Sequence, residues 1–576
     1  MPKGHGADVA GSRQTGGVYA VLSRGPGGIT LSEFDKDGRP LKPGRTVEHL
    51  ATEVARLERD RPRWVWDDTS TWYPGLLRAG VRVERCVDLR LCRAILRNSA
   101  LAAASELAAA PPDAWDKATP DARASSGALF DLDEPESTGD PVEEFARQRR
   151  TIAATSDPAR IGLLLAAESA GALIAAEMRF AGLPWSSAEH DRMLTVLLGP
   201  RPRAGERPTR MLSLLERVRT ILGAPDLNLD SPPDVLKALA AAGIPAESSR
   251  SWELQKIDHP VIGPLLEYKK LARLLSANGW NWLDANVTGE RFHPDFVPGG
   301  VVTGRWASKG GGGALQLPKQ VRGAVIADPG WKLVVADAAQ LEPRILAALS
   351  GDRGMIEAGT ADDCNLVTVG AASSGGDLYA GIVASGAVDT REHAKVAMLG
   401  AMYGATSGEA GRLLPRLART YPRAIAFVEE AARAGERGET VSTRLGRSSP
   451  RGAVTGYDET ATEADTSKRR TQSKSWGRFT RNFVVQGTAA EWALCWMAGL
   501  RGRLRAFGGD GFLTDEPHLV FFLHDEVVVH CPADRADAVE TEIRAAAADA
   551  GRLLFGRLPI EFPLTVAIVD NYGEAK

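Results

Sequence analysis

The sequence predicts a multi-domain protein of mixed α/β and α+β class, and three observations predict it. The chain has 576 residues, whereas a single hydrophobic core stops growing near about 250–300 residues. Residues 17–98 alternate short apolar runs with turns and helical periodicity, the pattern of a small α/β domain. Residues from about 149 to 290 are helical almost throughout, and beyond 300 strand patterns return among helices.

In the N-terminal part, GVYAVLS (17–23) reads as a strand, ITLSEF (29–34) as its hairpin partner and TVEHLATEVARLERD (46–60) as an amphipathic helix. PRWVWDD (62–68) reads as a buried strand ending in two carboxylates. Residues 99–148 are rich in Ala, Pro, Ser, Asp and Gly and read as a linker or long loop. IGLLLAAESAGALIAAEM (161–178) is a long apolar helix ended by Gly182 and Pro184. Helices follow over 211–223, 232–243 and 262–280, the second opened by Pro232 and Pro233. EFPLTVAIVDNYGEAK (561–576) reads as a last strand and a short tail.

Composition narrows the classes. Hydrophobic residues make up 44% and charged residues 25% of the chain, with a net charge of −3. That excludes a uniformly basic coat for nucleic acid, while a locally basic channel remains compatible. The five cysteines are scattered, odd in number and without a CxxC pair, which points to reduced thiols and against a disulfide framework or zinc site. No apolar run approaches the roughly 18 residues of a membrane span, and MPKGHGADVAGSRQTGG lacks the apolar core of a signal peptide. The expectation is a soluble cytoplasmic protein with a disordered tail over 1–16.

Two carboxylates carry the chemistry. In WKLVVADAAQLEPRILAALSGD, Leu333–Val335 form a short buried strand, Asp337 stands at its end, and Leu341, Ile345, Leu346 and Leu349 recur at helical spacing. Pro343 is tolerated because it falls in the first helical turn. An Asp in that position either binds a metal or caps the helix. In LVFFLHDEVVVHCP, His524, Asp525 and Glu526 join two apolar strands. Acids at such a tip either face solvent or bind a cation. Taken together, Asp337 and Asp525 suggest oxygen ligands for two Mg²⁺ ions of the kind that clamp phosphoryl transfer.

Between them lies DTREHAKVAMLGAMYGATSG, a helix with Thr390 or Asp389 as its N-cap. Arg391 and Lys395 are four apart and share one face. They would present positive charge to a triphosphate, or form an ordinary solvated face above a core of Met398, Leu399 and Met402.

These segments, in this order, resemble motifs A, B and C of the family A DNA polymerases, the bacterial DNA polymerase I family. The first is Asp337-Ala338-Ala339-Gln340-Leu341-Glu342-Pro343-Arg344; the second is Arg391, Lys395, Leu399, Gly400, Tyr403 and Gly404; the third is His524-Asp525-Glu526. TGRWAS with Arg305, ALQLPKQVRGAV with Gln316 and Arg322, VSTRLGR at 441–447, and RFTRNFVVQGTAAEW with Arg478, Asn482 and Gln486 also resemble family segments. The likeness covers about residues 160–576.

The resemblance implies a right-hand polymerase: thumb over 156–299, palm over 300–350 and 482–576 with an antiparallel sheet, fingers over 351–481, and a 3′–5′ exonuclease-like α/β domain over 17–155, with no 5′ nuclease domain. It implies that Asp337, Asp525 and the Ala338 carbonyl hold two Mg²⁺ (Mn²⁺ substituting), with Glu526 as a nearby catalytic acid. Arg391, Lys395, Leu399, Tyr403, Glu342, Gln340 and His524 would form the nucleotide site, Lys395 protonating pyrophosphate and Glu342 excluding a ribose 2′-OH. Arg305, Gln486, Asn482, Arg478, Gln316 and Arg344 would contact DNA. Residues 468–481 hold six basic residues and no acid, which suits phosphate contacts. The implied partners are primer–template DNA and dNTPs, with the chain acting as a monomer.

There are departures. Leu399 replaces the aromatic that stacks on the incoming base, Ala338 and Ala339 replace Tyr and Ser, Pro343 replaces Leu, and Glu491 stands where the family has Asp. The first strand, GVYAVLSRG, carries no acid, although proofreading chemistry needs carboxylates around two metals. Only Asp67, Asp68, Asp88 and Asp157 lie near the positions concerned, so an exonuclease-like fold without proofreading is expected. The alternatives are a non-catalytic DNA-binding protein on a polymerase scaffold, a polymerase that keeps its exonuclease, a nuclease with a vestigial polymerase, and a single-subunit RNA polymerase.

Overall fold

The computed structural model describes residues 18–117, 139–203, 205–309, 317–360, 376–405, 407–452, 463–508 and 511–575. The expected tail over 1–16 and Gln316 lie outside them.

The first sheet comprises β1 (Tyr19–Gly25), β2 (Gly28–Phe34), β3 (Arg45–Val47), β4 (Arg63–Trp66) and β5 (Arg85–Asp88), in the order β3-β2-β1-β4-β5. β1 and β2 form the expected antiparallel hairpin, closed where Gly25 faces Gly28. Gly28 has φ +100°, a conformation open to glycine and costly for other residues. β4 and β5 run parallel to β1. Trp64, Val65 and Trp66 are all buried, because parallel strands are covered on both faces. Helices α1 (Leu50–Glu58), α2 (Thr69–Arg78) and α3 (Leu89–Asn98) complete this unit.

The linker reading of 99–148 is corrected where that stretch is described. Short helical turns occupy Ala100–Ala102, Glu106–Ala109 and Ala114–Asp116, and α4 spans Pro141–Ala154. The residues that suggested a loop are caps: Ser99, Ser105, Asp113 and Asp140 each accept a backbone N–H at the start of one of these helices. Buried Arg93 ties the stretch down through Asp113, Asp116 and Glu144.

The helix α5 (Pro158–Ala181) is, by length and composition, apolar enough to cross a membrane, which corrects the expectation that no such run exists. Its apolar window is mostly buried inside the protein. It packs between the first sheet's unit and the rest of the chain, so burial on several sides removes the polar stripe that a surface helix needs. Helices α6 (Thr209–Leu222), α7 (Pro232–Ala241) and α8 (Ile262–Asn278) follow as expected, with Ser231 capping α7.

The second sheet contains β6 (Trp331–Ala338), β7 (His518–Leu523), β8 (Glu526–Pro532) and β9 (Leu564–Val569), in the order β7-β8-β6-β9, antiparallel throughout. Around it stand α9 (Leu341–Ser350), α10 (Arg391–Tyr403), α11 (Pro422–Glu436), α12 (Glu463–Gly508) and α13 (Ala536–Phe555). α12 is 46 residues long, so the fingers–palm boundary expected at 481/482 falls inside one continuous helix. Along its second half the helix buries Trp492, Trp496 and Met497 in the core.

A buried ion network joins the two halves. Glu177 of α5 accepts from Tyr73 (2.7 Å), Arg82 (2.9 Å) and Arg501 of α12 (2.9 Å). Arg501 also donates to the Val83 and Glu84 carbonyls. Burial alone would push the Glu177 carboxyl up, but Arg501 and Arg82 hold it far below the usual carboxylate range.

Candidate active site

The two carboxylates meet at one end of the second sheet. β6 buries Leu333–Ala336 and delivers Asp337, half-buried, just before the strand ends. Its cross-strand neighbour is Glu526. The two-residue turn His524–Asp525 joins β7 to β8, and the Ala338 N–H donates to the Asp525 carbonyl at 2.9 Å. This bond fixes the Asp525 backbone beside the end of β6.

Asp337 is not the cap of the next helix. Gln340 takes that place, in the left-handed region at φ 56°. Such a conformation costs a non-glycine residue roughly 1–2 kcal/mol. The side chain of Gln340 compensates: it donates to Asp377 (2.6 Å) and accepts from the Leu378 N–H (2.9 Å). Gln340, expected at the nucleotide, therefore spends its amide on bracing a neighbouring helix start. His524 also has positive φ, 60°, and stands at the exposed tip of the turn. Partial burial and Arg305 together lower the His524 pKa.

Glu526, expected as a nearby catalytic acid, is enclosed. It is 2% exposed, accepts from the Tyr572 hydroxyl, and has Arg322 at 3.8 Å. Its carboxylate is enclosed beside Asp337, the residue that faces it across the strands. Arg344, expected to contact DNA, is enclosed as well. It is 1% exposed and donates to the carbonyls of Gly359 (3.0 Å) and Glu561 (3.1 Å) and to Gly376. Burial pushes its pKa down to about 10. A guanidinium so enclosed braces the backbone and has no surface for DNA.

Three distant segments gather around Glu342. Arg305 donates to one carboxylate oxygen, and the Tyr403 hydroxyl donates to the other at 3.0 Å. Gln486 donates to the Tyr403 oxygen at 3.1 Å. Partial burial and the Glu342 charge raise the Tyr403 pKa. Tyr403 is 41% exposed, so this chain of contacts reaches the surface.

Helix α10 starts as expected, with Thr390 accepting from the His393 N–H at 3.1 Å. Arg391 and Lys395 are exposed on it, and Leu399 is half-buried against the core. Arg391 is held by Asp377 at 2.7 Å and lies 5.6 Å from the Tyr379 ring centre. Burial raises the Asp377 pKa, but the Arg391 bond, the Ala380 N–H and Gln340 outweigh it and the net shift is downward. Asp377 links motif-like residues Gln340 and Arg391, and its sequence signal is only that of a helix cap. No pattern in the sequence announces that pairing.

The remaining expected DNA contacts divide. Arg478 is exposed and packs against Gly404. Asn482 is half-buried, with its side-chain oxygen enclosed and without a hydrogen-bond partner among the described residues. Arg481, counted in the basic run, is buried and bonded to the Ala401 carbonyl (2.9 Å) and to Glu429, so it serves packing.

The donor set at the sheet end fits hard divalent cations. Asp337 and Asp525 offer carboxylate oxygens, the ligand class of Mg²⁺. No group of three or more Asp, Glu, His or Cys residues able to hold a metal occurs among the described residues. Mg²⁺ commonly takes one or two carboxylates and completes its octahedron with water and substrate phosphates.

In the N-terminal unit the acids have other work. Asp68 caps α2 and Asp88 caps α3. Asp88 also accepts the Thr69 N–H at 2.8 Å, and Asp67 accepts from the Trp72 ring nitrogen at 2.5 Å. Asp157 caps α5.

Comparison with known proteins agrees with this geometry. The family model described as DNA polymerase family A matches residues 206–574. The thermostable DNA polymerase I of Thermus thermophilus is 30% identical over 340 residues, 54% of this chain and 36% of that protein. DNA polymerase I of Chloroflexus aurantiacus is 25% identical over 378 residues, 60% of this chain and 36% of that protein. The chain thus spans little more than a third of the length of such relatives. The polymerase domain of Pol1 from M. smegmatis, solved with DNA primer-template and dNTP, shares the fold at a TM-score of 0.67 and 18% identity, covering 97% of this chain and 96% of that one. With the matching model spanning well over half of its length, the chain belongs to DNA polymerase family A.

Proposed function

We propose that the chain performs template-directed DNA synthesis, adding deoxynucleotides to a primer 3′-OH with release of pyrophosphate. The observation that carries the reading is the meeting of Asp337 and the Asp525 turn at the end of the second sheet, locked by the Ala338-to-Asp525 hydrogen bond. Asp337 and Asp525 would hold two Mg²⁺, with Mn²⁺ as a substitute. Bound there, the ions supply charge stabilisation for the attacking and leaving oxygens.

The protein's own groups do the rest. Arg391 and Lys395, at the positive start of α10, receive the triphosphate. The primer 3′-hydroxyl releases its proton to water as its oxygen bonds to the α-phosphorus and the bond to the β-phosphate oxygen breaks, and Lys395 gives a proton to the departing pyrophosphate. Glu342, held by Arg305 and Tyr403, occupies the space a ribose 2′-OH would need. Arg305, Gln486 and Asn482 face the minor groove, where every correct pair offers equivalent acceptors. Arg478 contacts the backbone, and His524 the primer end. Leu399 offers the incoming base weaker stacking than an aromatic ring would.

The proposed organisation is thumb over 156–299, palm over 300–350 and 482–576, fingers over 351–481, and an exonuclease-like unit over 17–155 without proofreading. That last reading is supported by the capping roles of Asp68 and Asp88. Primer–template DNA and dNTPs are the partners of a monomer in the bacterial cytoplasm.

Primer extension with dNTPs and with rNTPs, on the native chain and on Asp525→Ala, tests this. Extension by the native chain with dNTPs only, lost in Asp525→Ala, supports it. A native chain that binds primer–template without extending it would be a scaffold, and rNTP extension would make it an RNA polymerase. Metal-dependent removal of a mismatched 3′ nucleotide by Asp525→Ala would restore the proofreading reading.

A further inference from the structure

Glu168 of α5 and Arg447 form an ion pair to which the proposed chemistry gives no part. Arg447 Nη2 donates to Glu168 Oε2 at 2.7 Å, and the two side chains are 11% and 1% exposed. A buried pair of this kind gains little net stability over apolar residues of the same size, because both ions lose their water. Its best-attested use is to fix one arrangement of the groups around it. Glu168 Oε1, Arg447 Nε, Thr303 Oγ1 and Trp306 Nε1 are also enclosed and without a hydrogen-bond partner among the described residues. Buried polar groups are rarely left so, and stability alone does not account for them.

The backbone lying on this pair is the turn over 299–305. A Cβ at Gly299 would overlap Glu168 Oε1, and one at Gly304 would overlap Arg447 Nε, so glycine is what brings the chain this close. The turn closes through the Gly304 N–H to the Val301 carbonyl (2.7 Å) and the Val301 N–H to the Arg305 carbonyl (3.1 Å). Arg305 leaves it to donate to Glu342. Arg447 is itself held in place. Its carbonyl accepts from the Thr443 N–H at 2.9 Å, while Glu491 of α12 accepts from the Thr443 hydroxyl and the Leu445 N–H. A Cβ at Gly487 of α12 would meet both Thr443 and the Thr303 carbonyl, and its neighbour Gln486 donates to Tyr403. The pair thus lies under the turn that carries Arg305 and, through residues 441–449, against the helix that carries Gln486.

We infer that Glu168 and Arg447 are positioning residues for sugar selection: their ion pair seats the 299–305 turn and so fixes where Arg305 holds Glu342. The inference rests on the proposed role of Glu342 in excluding a ribose 2′-OH. Without the Glu168 charge the Arg447 guanidinium loses its anchor, and Gly304 loses the surface it rests on.

Single-nucleotide insertion of dNTP and rNTP tests this on Glu168→Gln and Arg447→Met, each in the native and in the Arg305→Ala background. Either change should lower the dNTP-over-rNTP ratio by roughly threefold or more in the native background and no further in Arg305→Ala, with Arg447→Lys recovering part. A purely structural pair would lower the melting temperature and leave the ratio where it is. An unchanged ratio, or an equal loss with and without Arg305, would therefore overturn the inference. Should Arg447→Met fail to fold, the near-isosteric Glu168→Gln carries the test. Primer–template affinity, read by fluorescence anisotropy without nucleotide, repeats the cycle without synthesis. A native chain that binds primer–template and extends nothing would sink the proposed function, and the anisotropy cycle then decides alone: non-additivity with Arg305→Ala upholds the positioning of Arg305, and additivity overturns it.

Discussion

Two regions of this molecule place aspartates where strands end and helices begin, and use them differently. In the N-terminal unit, Asp68 and Asp88 point their oxygens at the first backbone N–H groups of α2 and α3. At the second sheet, the cap position ahead of α9 is taken by Gln340, and Asp337 sits three residues earlier, at the strand's own end. The comparison teaches that an acid at a strand end is read by what it bonds. A carboxylate that satisfies helix N–H groups is committed to the fold, whereas one set back from the cap can serve a ligand.

Exchanging acids in the two regions should break the symmetry. The largest effect is expected at the second sheet: Asp337→Ala should lower primer extension by on the order of 10³-fold or more, equivalent to about 4 kcal/mol of transition-state stabilisation, with little change in melting temperature. Steady-state extension rates beside calorimetric melting check both halves.

The seam between the regions should answer in stability. Glu177→Ala would leave Arg501 and Arg82 buried without their carboxylate, a change that costs about 3–5 kcal/mol. Urea titration should show it, together with earlier proteolysis between the N-terminal unit and the rest.

Next comes selectivity. Glu342→Ala removes the group between Arg305 and Tyr403, so the preference for dNTP over rNTP should fall by roughly tenfold or more. Single-nucleotide insertion kinetics measure it. A ratio unchanged from the native protein would remove Glu342 from that role.

The smallest effect concerns pH. Glu491 is buried, accepts from Thr443 and from the Leu445 N–H, and burial pushes its pKa up to about 7. Between its unfolded value of about 4.3 and the folded value, the folded chain retains a proton that the unfolded chain has lost. Its contribution to stability is therefore complete below that lower value and declines as pH rises toward 7. Glu491→Gln should flatten that decline in urea midpoints compared at pH 5 and pH 8.

Much of the site was legible because its residues obey short-range rules. Asp337 closes an apolar run, Arg391 and Lys395 keep helical spacing, and the His524–Asp525 tip interrupts two strands. What stayed hidden depended on long-range contacts. Nothing near Glu526 or Arg344 in sequence shows that Tyr572, 46 residues from Glu526, or the Glu561 carbonyl, 217 residues from Arg344, would enclose them. Asp377 looked like any helix cap, although it also holds Arg391. The stretch 99–148 looked like a linker because capping residues and loop residues are the same types, and only Arg93 and its three acidic partners distinguish them.

The central claim is that the acids of the second sheet, and not those of the first, perform metal-dependent chemistry. Its most direct test is a primer–template assay with Mg²⁺ and dNTPs on Asp337→Ala, Asp525→Ala and Asp88→Asn, read for both extension and 3′ degradation. The account predicts that Asp88→Asn extends at the native rate, that neither second-sheet variant extends, and that no protein shortens the primer. Extension by Asp525→Ala at the native rate, or 3′ shortening lost only in Asp88→Asn, would contradict it.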